Sequence, residues 1–235
     1  MRTLLTCTCI WVTILFLLPG CTRVDSNDLK EDVPYHQNYN ITFSKTDDAT
    51  YVSAYFRVRS AGGARVMLAN GSSVTMNGRT GATSDPFDRT LYTWQFAGLQ
   101  DINAVLTKNG KAIVNTTQLS DIGDVSFPAT LAADISKSTG YTFVWEGPAL
   151  ATGERMYVGV AGRSTTDTSL NASNEIEVSG AKAIITAEDL QLIAPGKLTL
   201  SLRRQKNMSL DAYDGDGTGF TSVTLITAKE ITLKN

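Results

Sequence analysis

The chain has 235 residues, with Lys+Arg 21 against Asp+Glu 23 and 42% hydrophobic residues. That near balance, with no basic block and no acidic tract, excludes a nucleic-acid surface and a bulk store of cations. A single histidine and three cysteines give too few ligands for a zinc centre and no ready base for a histidine-activated nucleophile.

Arg2 gives a short positive start. From Leu4 to Leu18 there is no charge, and Ile10, Trp11, Val12, Ile14, Leu15, Phe16, Leu17 and Leu18 form an apolar run. At about 15 residues it suits an export signal and falls short of the ~20 that a spanning helix needs. Pro19 and Gly20 end the run and Cys21 follows at once. Leu18-Pro19-Gly20-Cys21 resembles the lipobox of bacterial lipoproteins, with Leu three places before the Cys and a small residue just before it. Pro19 stands where Ala or Ser is commoner. The resemblance implies that residues 1–20 are removed as a signal peptide, that the Cys21 thiol takes a diacylglyceryl group, and that acyl chains hold the protein on the bacterial envelope. Thr22, rather than Asp, after the Cys implies the outer membrane. Cys7 and Cys9 would leave with the signal, so no thiol remains for a disulfide framework.

Residues 21–35 are polar and lack apolar periodicity, which predicts a flexible tether, with His36 solvated at its end. Strands follow. Tyr39, Ile41 and Phe43 alternate with polar residues. In Tyr51–Ser60, Val52, Ala54, Phe56 and Val58 are expected inward, and Tyr51, Ser53, Tyr55, Arg57 and Arg59 outward. Asn70-Gly71 predicts a hairpin between Arg65–Ala69 and Ser72–Asn77, and Asn109-Gly110 a second between Ile102–Thr107 and Lys111–Leu119. Trp94 shares its alternation with Tyr92 and Phe96, as Trp145 does with Tyr141 and Phe143, so both are expected in the core.

Ser120–Asp124 reads as a boundary, and Thr130–Thr139 as a short helical or irregular crossover. Arg155–Ala161 turns Met156, Val158 and Val160 to one face and Tyr157 to the other. Lys182–Ile193 is strand or helical turn. Leu198, Leu200 and Leu202 mark an inward face, and Ser209–Tyr213, Ser222–Thr227 and Lys229–Leu233 close the series. About fifteen short strands broken by Gly, Asn-Gly and Pro-Gly predict an all-β fold. The expectation is two antiparallel β-sandwich domains, 36–122 and 123–235, with one large jelly-roll sandwich as the alternative. The second half, with its Trp-bearing strand, resembles an immunoglobulin or fibronectin type III module without the cysteine pair.

The chemistry on offer is thin. Asp211, Asp214 and Asp216 alternate in a Gly-rich loop, and from Asp214 the run resembles the first half of an EF-hand loop. Leu225 stands where the chelating Glu belongs, so calcium is the one cofactor worth testing, against a plain Asp-Gly turn. Glycoside hydrolysis would need a carboxylate pair such as Glu146 with Glu154 or Asp85 with Asp88. Stacking of carbohydrate is the more physical option, with Tyr51, Tyr55 and Arg57 as the patch. Five Asn-x-Ser/Thr sites, at Asn40, Asn70, Asn115, Asn171 and Asn207, are a by-product of composition if the lipobox reading holds. The expectation is a lipid-anchored binding or structural module without enzymatic activity, its partner a glycan or an envelope protein that adds a strand to an exposed sheet edge.

Overall fold

The computed structural model describes residues 23–85 and 90–235. Cys21, Asp88 and the whole signal segment lie outside them. The fold is all-β. Its first layer is an eleven-stranded sheet whose main path runs β1 (Arg23–Asp25), β4 (Arg65–Met67), β3 (Ala49–Val58), β2 (Tyr35–Ser44), β17 (Gly219–Lys234), β16 (Ile193–Met208), β13 (Glu154–Ser164) and β14 (Asn171–Glu177). β7 (Ala82–Ser84), β8 (Leu91–Ala97) and β11 (Asp134–Ser136) pair alongside that path. The second layer is two small sheets. One is β10 (Lys111–Thr117), β9 (Ile102–Lys108), β5 (Ser73–Met76) and β6 (Arg79–Thr80); the other is β12 (Tyr141–Val144) with β15 (Lys182–Ile185).

Alternation decides which face of each strand is apolar. Val52, Ala54 and Phe56 of β3, Leu198, Leu200 and Leu202 of β16, and Met156, Val158 and Val160 of β13 are all buried, as their spacing predicts. They join Met76, Ile102, Leu106, Phe143 and Ile185 from the small sheets, and Trp145 just after β12, in one core, and Trp94 is buried there as well. Each such aliphatic side chain contributes about 1.5–3 kcal/mol by leaving water.

Asn109-Gly110 makes the expected hairpin. Lys108 pairs with Lys111, and φ is 50° at Asn109 and 77° at Gly110, the left-handed pair that a type I′ turn requires. Asn70-Gly71 also takes positive φ but makes no hairpin. β4 pairs with β3 in the large sheet while β5 pairs with β9 in the small one, so the turn carries the chain between layers. The dipeptide satisfies turn geometry, and buried Val66 and Val74 decide which layer each strand joins.

Two expectations about the start of the fold are corrected. The segment read as a tether is docked from Arg23 onward. β1 runs parallel to β4, Arg23 pairs with Asp85, and Ser26 Oγ exchanges bonds of 2.9 and 2.8 Å with the Ala69 carbonyl and amide. His36 is not solvated but 4% exposed in β2, with Nδ1 2.7 Å from Thr218 Oγ1. The short run before it escapes notice because three-residue strands carry no period.

The division expected near Asp121, and the domains 36–122 and 123–235 drawn from it, is not a break in the sheet. β17 lies between β2 and β16, parallel to β2 from Gly219↔Gln37 to Ile226↔Ser44. The crossover after the division holds β11, which pairs in parallel with β17.

Candidate functional site

The face of the large sheet opposite the core is lined by small polar groups. Cross-strand partners share a face. One row is therefore Asn207, Ser222, Asn40, Ser53 and Thr93, and the next is Arg155, Gln205, Thr224, Thr42, Tyr51 and Gln95. Tyr51 stands on β3, 38% exposed, and Tyr157 is half-buried on β13. Four strand steps separate those strands, about 19 Å at ~4.8 Å per step.

Tyr157 is held by its neighbours. The Arg203 guanidinium sits 4.2 Å from its ring centroid and bonds Glu175 through Nε and Nη2 at 2.9 and 2.5 Å. Arg203 Nη1 also donates to Gln205 Oε1 at 2.5 Å, and Gln205 Nε2 donates to Ser222 Oγ at 3.0 Å. This rung divides two depressions on the outer face. The larger, of about 630 Å³, is bounded by Arg155, Tyr157, Glu177, Gln205 and Asn207. The smaller, of about 300 Å³, lies over Gly159, Ser173, Thr199 and Ser201, where the side chains are absent or short.

The sequence-derived patch is only partly assembled for stacking. Tyr51, Tyr55 and Arg57 share the outer face of β3. The Tyr55 ring, however, has the Arg65 guanidinium 3.7 Å from its centroid and that of Arg57 at 5.8 Å. Arg57 Nη1 donates to the Gly63 carbonyl at 2.8 Å. Tyr51 keeps its exposed ring. Gln205, Asn207 and Glu177 were missed, although the parity that sends Leu198, Leu200 and Leu202 inward sends Arg203, Gln205 and Asn207 outward.

The three aspartates of the Gly-rich loop do not converge. Asp214 Oδ2 accepts 2.8 Å from the Tyr35 amide and 2.7 Å from Lys108 Nζ, with the Asp214 side chain only 13% and that of Lys108 only 6% exposed. Asp211 Oδ2 accepts from the Thr116 amide at 2.8 Å. Lys108 Nζ also reaches the Val33 carbonyl at 2.7 Å, so an ammonium stands where a cation beside Asp214 would. Among the described residues no group of three or more His, Cys, Asp or Glu side chains is placed to hold a metal. Millimolar calcium added to chelator-treated protein is accordingly expected to leave the unfolding temperature unchanged; a rise would show that the loop rearranges around the ion.

The carboxylate pairs fare no better as hydrolytic machinery. Glu154 is sealed against Arg204, both side chains 1% exposed, while Glu146 is exposed and accepts from the Ala129 amide at 3.3 Å. Asp85 pairs with Arg23, and Asp88 lies outside the described residues. Burial, and then the neighbouring Arg57 charge, hold His36 below its ordinary pKa, which leaves the ring neutral at pH 7. Among the described residues no helix is long and apolar enough to cross a membrane. Comparison with protein-family models finds no match, and comparison with curated proteins finds no relative.

Proposed function

We propose that the chain is a lipid-anchored protein of a bacterial envelope whose folded part holds glycan across the outer face of its large sheet. The anchor rests on Leu18–Cys21. The holding site rests on one observation, the uncovered polar face between Tyr51 and Tyr157. Its hydroxyl, amide and guanidinium groups match the vicinal hydroxyls of a sugar; the exposed Tyr51 ring stands toward one end to receive an apolar sugar face, and Tyr157, backed by Arg203, lines the larger depression at the other. The span of about 19 Å suits a short run of pyranose rings lying across the strands. The Tyr157–Arg203–Glu175 rung is locked by its own hydrogen bonds, so little ordering is left for the ligand to impose.

Affinity electrophoresis through soluble neutral polysaccharides, followed by a glycan array, tests the site. Wild type is expected to be retarded by at least one polymer. Tyr157→Ala and Tyr51→Ala should each weaken retention roughly tenfold, the loss of about 1.4 kcal/mol of stacking. Equal migration of wild type and both variants would remove the reading. Intact mass of the mature protein tests the anchor separately, as acyl additions on Cys21.

A further inference from the structure

One row of the outer face is cationic, and it lies beside the expected anchor. Arg57 of β3 is the direct partner of Arg65 of β4, and Arg65 of Arg23 of β1. Three guanidinium groups thus occupy adjacent strands on one face, within about 10 Å at ~4.8 Å per strand. Exposed Arg59 lies just beyond, and His36 is the partner of Arg57 on the other side. Like charges at directly opposed positions repel. Within the fold the Tyr55 ring lies against Arg57 and Arg65, and Asp85 pairs with Arg23. Asp25 stands two residues along β1.

The second observation is chain length. Because β1 is already paired at Arg23, only Thr22 separates it from Cys21. Two residues of extended chain reach at most about 7 Å. An acyl group on Cys21 therefore fixes the position of Arg23 at the bilayer surface, and the arginine row with it.

We infer that the Arg57–Arg65–Arg23 row docks on the membrane that holds the anchor and binds the phosphates of anionic lipid headgroups. Nε and Nη1 of Arg65 are out of contact with water, Arg57 Nη1 is taken by the Gly63 carbonyl and Arg23 Nη1 by Asp85, so the row draws the phosphates by its positive charge rather than by a set of free forks. The inference rests on the lipid-anchor reading. Tyr51 lies on the same face of β3, six residues from Arg57, which at about 3.4 Å per residue is some 20 Å along the strand.

Two measurements test it. First, the mature chain from position 21, carrying Cys21→Ser so that it bears no acyl group, is sedimented with vesicles of phosphatidylcholine alone and of phosphatidylcholine with phosphatidylglycerol. Binding is expected to be severalfold greater to the anionic vesicles and to fall with salt. Arg57→Gln with Arg65→Gln should bring it to the neutral-vesicle level, with the variant's unfolding temperature confirming that it folds. Equal binding to both vesicles, or a folded variant that binds as wild type does, overturns the inference.

Second, the acylated protein is labelled at Ser60→Cys in the turn beside the row, and separately at Ser173→Cys on β14, the far edge of the sheet. A headgroup-level quencher should quench the first severalfold more than the second. Equal quenching in protein whose mass shows the acyl group overturns the docking and leaves the anchor standing. A mass without acyl additions overturns the anchor, and the docking inferred from it, while the vesicle result still reports on the row.

Discussion

Replacing Arg204 by methionine is expected to remove most of the stability of the fold. Arg204 projects into the core from β16 and is 1% exposed. All five of its N–H donors are used. Nε and Nη2 reach Glu154 Oε2, Nη1 reaches the carbonyls of Asp124 and Pro148 at 3.1 and 2.7 Å, and Nη2 reaches that of Ala149 at 3.0 Å. Glu154 in turn accepts from the amides of Gly123 and Ala151 at 3.0 and 2.7 Å. One ion pair thus pins two irregular segments, around 123–125 and 148–151, against the sheet. The fit is close enough that a Cβ on Gly123 would sit 2.3 Å from the guanidinium carbon.

Removing one partner of a buried pair costs about 3–5 kcal/mol, because the other charge stays behind. Each orphaned carbonyl adds roughly 1–3 kcal/mol. Against a total of about 5–15 kcal/mol, the variant should unfold at far lower urea or not fold at all. Arg204→Lys should lose nearly as much, since three donors on a point charge cannot serve a carboxylate and three carbonyls. The double variant Glu154→Met with Arg204→Met should be less destabilised than the sum of its parts. A loss below about 1 kcal/mol for Arg204→Met, read from the urea midpoint, would show that water or a shifted loop replaces the guanidinium.

The same pair sets a pH dependence. Burial pushes the Glu154 carboxyl upward, but the bonds from Arg204, Ala151 and Gly123 outweigh it and hold the group below its ordinary value. The folded value lies below the unfolded one. The contribution is therefore complete above the unfolded value and is lost as pH falls through the folded one. Stability should decline on the acid side of the ordinary glutamate range, and Glu154→Gln, though weaker throughout, should show a shallower decline there.

How much of this could be read in the chain depends on what alternation carries. It reports which face a side chain takes, so the core positions of β3, β13 and β16 and the burial of Trp94 and Trp145 were legible. It also held a signal left unread. The parity of Leu198, Leu200 and Leu202 places Arg204 inward, and an arginine at a core position announces a buried partner. Alternation says nothing about which strand lies alongside. β2 and β17 are at opposite ends of the chain and in the same sheet, and nothing local in Tyr35–Ser44 points to Gly219. The Tyr55 ring was legible as outward, but not its cover by Arg65, which arrives from a three-residue strand after a turn. The arginine row is invisible for the same reason, since its members come from three strands and only register aligns them.

A chain stopped at Thr218 is expected not to fold in either half. β17 supplies register partners to β16 from Gly196↔Leu233 to Met208↔Thr221, to β2 from Gly219↔Gln37 to Ile226↔Ser44, and to β11 at Asp134↔Thr232. Its Val223, Leu225, Ile231 and Leu233 are buried, at about 1.5–3 kcal/mol each, before any ladder bond is counted. Their sum alone is of the order of the whole stability of a domain. Because β17 joins β2 to β16, the halves should also unfold together. The two tryptophans outside the signal segment, Trp94 and Trp145, fall one on each side of the expected division. Trp94→Phe and Trp145→Phe variants therefore leave one fluorescent reporter for each half. Coincident urea transitions from the two reporters are expected, as one cooperative unit requires. Transitions that separate would mean that the halves fold independently and that the β2–β17 ladder is a weak seam between them.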